Sequence, residues 1–102
     1  MDFFIYILHS LSFDKFYIGY TDNPKRRFLE HNESTFSTYT SKFRPWKMVA
    51  LFKVTGSRPE ALRIEKFLKN QKSKSLTLKL INPEFIPNGN LALLVRVPHV
   101  RD

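Results

Sequence analysis

The first apolar run, Phe3 to Leu8 (FFIYIL), is unbroken, short and rich in aromatic and β-branched residues. Such a run fits a buried strand. A second, Lys15 to Tyr20 (KFYIGY), follows after HSLSFD, which suits a hairpin loop. In TDNPKRRFLEHN, Asp22 or Asn23 can cap and Pro24 fits the first helical position, so a helix is expected to about Asn32, anchored in the core by Phe28. ESTFSTYTSKFRP is rich in Ser and Thr without a steady period and reads as a loop. Trp46 to Val54 (WKMVALFKV) alternates: Trp46, Met48, Ala50, Phe52 and Val54 share one side, Lys47 and Lys53 the other, which is the period of a third strand. SRPE has the form of a capping box, Ser57 with Glu60, and opens a helix to about Lys69 or beyond. SKSLTLKLI fits a further short helix. From Asn82 onward, NPEFIPNGN breaks regular structure while LALLV is too apolar to stay unpacked. Residues 82–102 are therefore expected as an extension of a domain at 1–81, docked as an edge strand, over the core, or at a dimer contact.

Charge changes this picture more than composition does. At 102 residues with 42% hydrophobic positions and fifteen aromatics, the chain has enough for one modest core. Its formal net charge is +8, and eleven of the 17 Lys and Arg lie between Ser41 and Leu80 against only Glu60 and Glu65. A basic half on a folded domain points to a polyanion. Acidic membrane is the weaker alternative, because no Lys/Arg-rich amphipathic stretch stands out. The absence of cysteine removes disulfides, thiolate zinc sites and cysteine nucleophiles. His9, His31 and His99 are too far apart in sequence to suggest a local metal pair. No segment approaches the roughly 18 apolar residues of a membrane span, and MDFFIYIL lacks the basic flank and length of a signal peptide. The expectation is an intracellular, cytoplasmic protein.

Three features sit awkwardly for a purely structural chain. Lys25, Arg26 and Arg27 occupy the first turn of a helix, where partial positive charge favours Asp or Glu and a cation loses a few tenths to about 1 kcal/mol. Three such choices suggest an anion from outside, and the planar fork of Arg27 suits phosphate. His31 lies four residues on, on the same face. Second, Gly19 leaves bare backbone beside Tyr17, which weakens a strand unless something approaches closely; a β-bulge or tight packing are the plain readings. Third, Glu65 falls inside the apolar arc of Ala61, Ile64 and Leu68 at about 100° per residue. A carboxylate there is costly unless it is paired, coordinates a cation, or snorkels from the stripe's edge.

Taken in order, Phe4 to Tyr6 (FIY), Tyr17 to Gly19 (YIG), an Arg ten residues after the second Tyr, His four residues later, RPW, and ALRIE on the next helix resemble the GIY-YIG nuclease family in its small single-domain form. The likeness covers about Phe3 to Ile81, with Phe4 standing where the name motif has glycine. It implies an α+β fold, a three-stranded antiparallel sheet flanked by helices, and hydrolysis of a DNA phosphodiester with one divalent metal, Mg²⁺ or Mn²⁺. By the same resemblance Tyr6 and Tyr17 match the paired motif tyrosines, Arg27 the catalytic arginine and Glu65 the metal-binding glutamate. His31 matches a position near the active site that often carries His or Tyr. The expected roles follow from these matches. Glu65 holds the metal, Arg27 a non-bridging oxygen, Tyr17 or Tyr6 orients or deprotonates water, His31 shares or relays the proton, and Gly19 makes room for the phosphate. Lys25, Arg26, Lys42, Arg44, Lys47, Lys66, Lys69, Lys72 and Lys74 are candidate contacts to the nucleic-acid backbone, which are sequence-independent and salt-sensitive. With no second, sequence-reading domain visible, selectivity is expected to rest on branched or otherwise structured DNA, in repair or recombination, or on a protein partner. The alternatives are a non-catalytic nucleic-acid-binding module on the same scaffold and a basic protein-interaction domain.

Overall fold

A computed structural model of the protein describes residues 2–35 and 38–98. Among the described residues the chain forms β1 (Phe3–Ser10), β2 (Lys15–Thr21), α1 (Pro24–Glu33), β3 (Lys47–Val54), α2 (Arg58–Gln71), α3 (Lys74–Ile81) and β4 (Leu94–Arg96). Short 3-10 turns at Thr40–Phe43 and Gly89–Leu91 complete it. The sheet is antiparallel throughout, in the order β2-β1-β3-β4. It has four strands where three were expected. The LALLV segment supplies the fourth: Leu94 is buried, and Val97 N–H donates to Leu51 O at 2.9 Å while Thr55 N–H donates to Leu93 O at 2.8 Å. Residues 99–102 of the expected extension, and residues 36 and 37 of the expected loop, lie outside the described residues. No described helix is long and apolar enough to cross a membrane.

The central position of β1 explains its unbroken apolar run. Ile5 and Ile7 enter the core beneath α2 and α3 with Ala61, Ile64, Leu68 and Leu80, while Tyr6 and Leu8 enter a second cluster that includes Phe28 of α1. Helices thus cover both faces of the sheet, and side chains of both parities along β1 are buried.

The alternation of β3 does not hold over its whole length. Ile7 pairs with Ala50 but Leu8 with Met48, so Val49 is an extra residue in the ladder. One inserted residue reverses which face the following side chains take. Ala50, Phe52 and Val54 therefore pack under α2 and α3, whereas Trp46 and Met48 join the α1 cluster.

The helix starts follow local chemistry. Asn23 caps α1, its side chain accepting from Arg26 N–H at 3.1 Å. Ser57 is the N-cap of α2, yet the capping box is not made, because the Ser57 side chain forms no cap bond and the Glu60 carboxylate is held by Arg63 at 3.0 and 3.1 Å. The helix ends at Gln71, in keeping with the expected end at about Lys69 or beyond, and Lys72 turns the chain in the left-handed region at φ 47°.

Candidate active site

The pairing of β1 with β2 places Tyr6 opposite Gly19 and Leu8 opposite Tyr17. Opposed residues of an antiparallel pair share a face, so both motif tyrosines look toward α1. The phenol of Tyr6 lies across Gly19, and a Cβ there would overlap its hydroxyl end. Gly19 thus accommodates a protein ring, and the expectation that it opens room for phosphate is corrected: tight packing occupies that space. The consequence is reach. Passing over bare backbone, the Tyr6 hydroxyl meets His31 Nε2 at 2.7 Å. The three rings cluster, with centroids 6.3 Å apart for Tyr6 and Tyr17, 5.6 Å for Tyr6 and His31, and 5.0 Å for Tyr17 and His31.

His31 lies inside α1 and is 4% exposed, far from the surface residue that a lone histidine near a helix end usually is. Its Nδ1 is 2.9 Å from Thr40 Oγ1. Thr40 O in turn accepts from Trp46 Nε1–H at 2.7 Å, and Asn32 brackets the Trp46 backbone, accepting its N–H at 2.6 Å and donating to its carbonyl at 2.9 Å. Burial, reinforced by the charge of Arg27, pushes the His31 pKa down to about 4. Burial, with Tyr17 nearby, pushes the Tyr6 phenol above its ordinary range. Near neutral pH both groups are uncharged. The ring then carries one N–H and one bare nitrogen, so one of its two hydroxyl partners accepts while the other donates.

Arg27 stands one turn before His31 on α1. Its Nη1–H donates to Glu30 Oε1 at 3.0 Å, and its charge is close enough to Tyr6 to oppose the effect of burial on that phenol. Tyr17, Arg27, Glu30, His31, Tyr39 and Thr40 line one open cleft of about 390 Å³. The chain supplies part of the anion expected beside the α1 cations: Arg26 lies 3.4 Å from Asp22 and 3.8 Å from Glu30, and Arg27 pairs with Glu30.

Glu65 reaches the site from α2. Its Oε2 accepts Tyr20 N–H at 3.1 Å along β2, the outer strand of the sheet, so the carboxylate covers a strand edge. Lys69 Nζ is 3.7 Å from the same oxygen and 5.0 Å from the centroid of the Tyr17 ring. The ion pair is thus with Lys69, four residues on, and the carboxylate keeps 18% of its side-chain surface. No group of three or more His, Cys, Asp or Glu that could hold a metal occurs among the described residues. A lone carboxylate whose closest contacts both fall on one oxygen fits an ion of the magnesium type, which retains several waters and takes further oxygens from a substrate phosphate. Glu65 is the residue that could hold it.

The other basic candidates divide. Lys69, Lys72 and Lys74 line a second hollow, about 320 Å³, that shares Tyr17 with the cleft; Lys74 is also paired with Asp14 at 3.0 Å. Lys25 and Arg26 border a depression on another side of α1 with Leu29, while Lys42, Lys47 and Lys66 are exposed elsewhere. Arg44 has a different task from the one expected. Its guanidinium donates to the carbonyls of His31, Glu30 and Ser34 at 2.5, 3.3 and 2.9 Å, which satisfies the C-terminal end of α1. The sequence reading missed Thr40, Glu30 and Tyr39 at the cleft and Trp46 beneath it. Thr40 opens and Tyr39 caps a single 3-10 turn, too short for any periodicity to mark them, and Trp46 is brought round by the Val49 bulge.

The family model of the GIY-YIG catalytic domain matches residues 2–79. The structure-specific endonuclease subunit SLX1 of Debaryomyces hansenii is 40% identical over 76 residues, 68% of this chain and 22% of that protein. SLX1 of Meyerozyma guilliermondii is 39% identical over 74 residues, 68% of this chain and 25% of that protein. The chain thus spans a quarter or less of the length of these curated relatives. Among solved structures, a UPF0213 protein from Bacillus halodurans, determined by solution NMR, superposes with a TM-score of 0.50 at 29% identity, covering 88% of this chain and 93% of that one. With its tyrosines, arginine and glutamate held as described and the family model spanning most of its length, the chain belongs to the GIY-YIG catalytic domain family.

Proposed function

We propose that this chain is a metal-dependent endonuclease that hydrolyses phosphodiester bonds in branched or otherwise structured DNA, inside the cell, in repair or recombination, with a protein partner contributing to selectivity. The observation that carries this reading is the meeting of Tyr17, Arg27 and His31 in one cleft, with Glu65 linked to Tyr17 through Lys69, which lies near both. The names of the SLX1 relatives, structure-specific endonuclease subunits, support both the substrate class and the partner.

Arg27, 40% exposed at the cleft wall, takes a non-bridging phosphate oxygen and stabilises charge as it builds in the transition state. To do so it turns from Glu30, an exposed ion pair worth little. Tyr17 is only partly buried and lines the cleft, whereas Tyr6 is 1% exposed. Orienting the attacking water therefore falls to Tyr17, and Tyr6 with His31 forms an uncharged floor that holds the rings in place. Glu65 would hold Mg²⁺ or Mn²⁺, which when bound neutralises charge on the phosphate and the leaving oxygen. Lys69, Lys72 and Lys74 offer backbone contacts beside Tyr17.

The test incubates purified protein with a panel of branched and plain duplex DNAs in Mg²⁺ or Mn²⁺, with Glu65→Ala and Arg27→Ala in parallel. Wild-type cleavage of branched DNA that both variants lose is the expected result. Equal cleavage by all three proteins would identify a contaminant and end the proposal; salt-dependent binding without cutting would leave a non-catalytic binding module.

A further inference from the structure

Beside the cleft runs a line of aromatic rings that the chemistry above does not use. Phe13, at the tip of the β1–β2 hairpin, is 51% exposed and meets Phe43 edge-on with centroids 5.3 Å apart at 76°. Tyr39, 56% exposed, rests on the same Phe43 at 5.1 Å. Phe43 continues to Trp46 at 6.5 Å, and Trp46 to Tyr17 at 6.3 Å. Lys15 Nζ lies 5.0 Å from the centroid of Phe43, and exposed Lys42 precedes Phe43 in the chain. Tyr39 also lines the same cleft as Arg27 and Tyr17.

We infer that Tyr39, backed by Phe43 and Phe13, is a stacking site for an unpaired nucleobase next to the phosphate that Arg27 holds. This inference rests on the nucleic-acid part of the function proposed above. An exposed ring on a packed aromatic support offers an ordered flat face at small entropic cost, and base stacking on such a face is tolerant of sequence. Lysines along the line suit a strand's phosphates, whereas the core of a protein-docking patch is typically depleted of lysine. Bases within a duplex already stack on their neighbours and present only edges in the grooves. An unpaired base beside the cut presents its full face, so this site distinguishes a single-stranded arm from continuous duplex.

The experiment is fluorescence anisotropy of the full chain in EDTA, so that no cleavage intervenes, with end-labelled duplex, the same duplex carrying a single-stranded arm, and that arm made abasic next to the junction. Wild type binds the normal arm more tightly than the abasic arm or the plain duplex. Tyr39→Ala lowers affinity for the armed DNA about tenfold and for duplex less than about twofold, Phe13→Ala acts in the same direction more weakly, and Tyr39→Trp retains wild-type binding. Thermal melts of the variants, expected to overlay wild type because both residues are exposed, control for folding. Parallel losses on armed and plain DNA, no loss on either, or equal wild-type binding to normal and abasic arms would overturn the inference. No effect on DNA would turn the ring line into a protein-docking surface. Ring-dependent binding without metal-dependent cutting would refute the nuclease reading alone, and cutting without ring dependence would refute this site alone.

Discussion

The histidine beneath the cleft makes the fold acid-sensitive by a calculable amount. His31 is 4% exposed and its pKa lies at about 4, held there by burial and then by the charge of Arg27, against about 6.5 for histidine in an unfolded chain. A depressed folded pKa means that the unfolded state binds more protons between these two values. The stabilisation is fully present above about pH 6.5 and is lost as pH falls toward 4. Integrating over that window gives about 2 kcal/mol lost by pH 5 and about 3 kcal/mol by pH 4, against a total stability of about 5–15 kcal/mol for a domain of this kind. Carboxylates titrate in the same range, so the measurement must be a difference. Urea unfolding of wild type and His31→Gln at pH 7, 6, 5 and 4 isolates the histidine, since glutamine does not titrate. His31→Gln should be less stable at pH 7 because its amide does not reproduce both ring contacts, and the gap should close by about 3 kcal/mol on going to pH 4. Parallel pH profiles would show that His31 is protonated or accessible in the folded state, and the uncharged floor of the site would go with them.

Further predictions follow from the contacts of Gly19, Arg44 and Glu65. Gly19→Ala drives a methyl into the buried Tyr6 ring, so it should cost about 1–3 kcal/mol and lower the melting temperature by several degrees; an unchanged melt in circular dichroism would mean that Tyr6 does not lie over Gly19. Arg44→Met strips the carbonyls at the end of α1 of their donor and should cost about 1–3 kcal/mol in urea unfolding, whereas an unshifted midpoint would return Arg44 to the list of free phosphate contacts. Glu65→Gln keeps an oxygen to accept Tyr20 N–H but removes the charge, so it should fold as wild type while Mg²⁺-dependent cleavage falls about a hundredfold or more; retained cleavage would exclude Glu65 as the metal-holding residue.

Elements were legible wherever one local signal decided them. β1 and β2 announce themselves by apolar runs, α1 by Asn23 and Pro24, and α2 by the arc of Ala61, Ile64 and Leu68. What stayed hidden depended on contacts between distant positions. The Val49 bulge leaves no mark in WKMVALFKV, because its cause is the mismatch of β3 with β1 rather than any residue of its own. Strict alternation therefore assigns Trp46 to the face of Phe52, while the structure turns it toward the tyrosines. Gly19 was correctly seen as a place of close approach, but a sequence does not say what approaches; the β1–β2 register does. The capping box failed for a related reason: Arg63, one turn on, competes for Glu60 and holds it.

The site's electrostatics rest on that one inserted residue. Because Val49 turns Trp46 toward α1, the indole N–H can reach Thr40 O, Thr40 can present its hydroxyl to His31, and His31 can stay buried and neutral against Tyr6. Arg27 and Glu30 line the cleft over this floor, Glu65 and Lys69 stand beside Tyr17, and the Arg44 guanidinium is engaged by the carbonyls at the end of α1. A buried, uncharged floor lowers the effective dielectric beneath a phosphate bound in the cleft, which strengthens each charge acting on it. Pairing β3 with β1 without the bulge, Val49 taking its place in the ladder, would restore strict alternation, swing Trp46 to the opposite face and leave Thr40 O without its donor. The floor and the electrostatic advantage it gives Arg27 thus share a single structural cause, in a strand that carries none of the motif tyrosines.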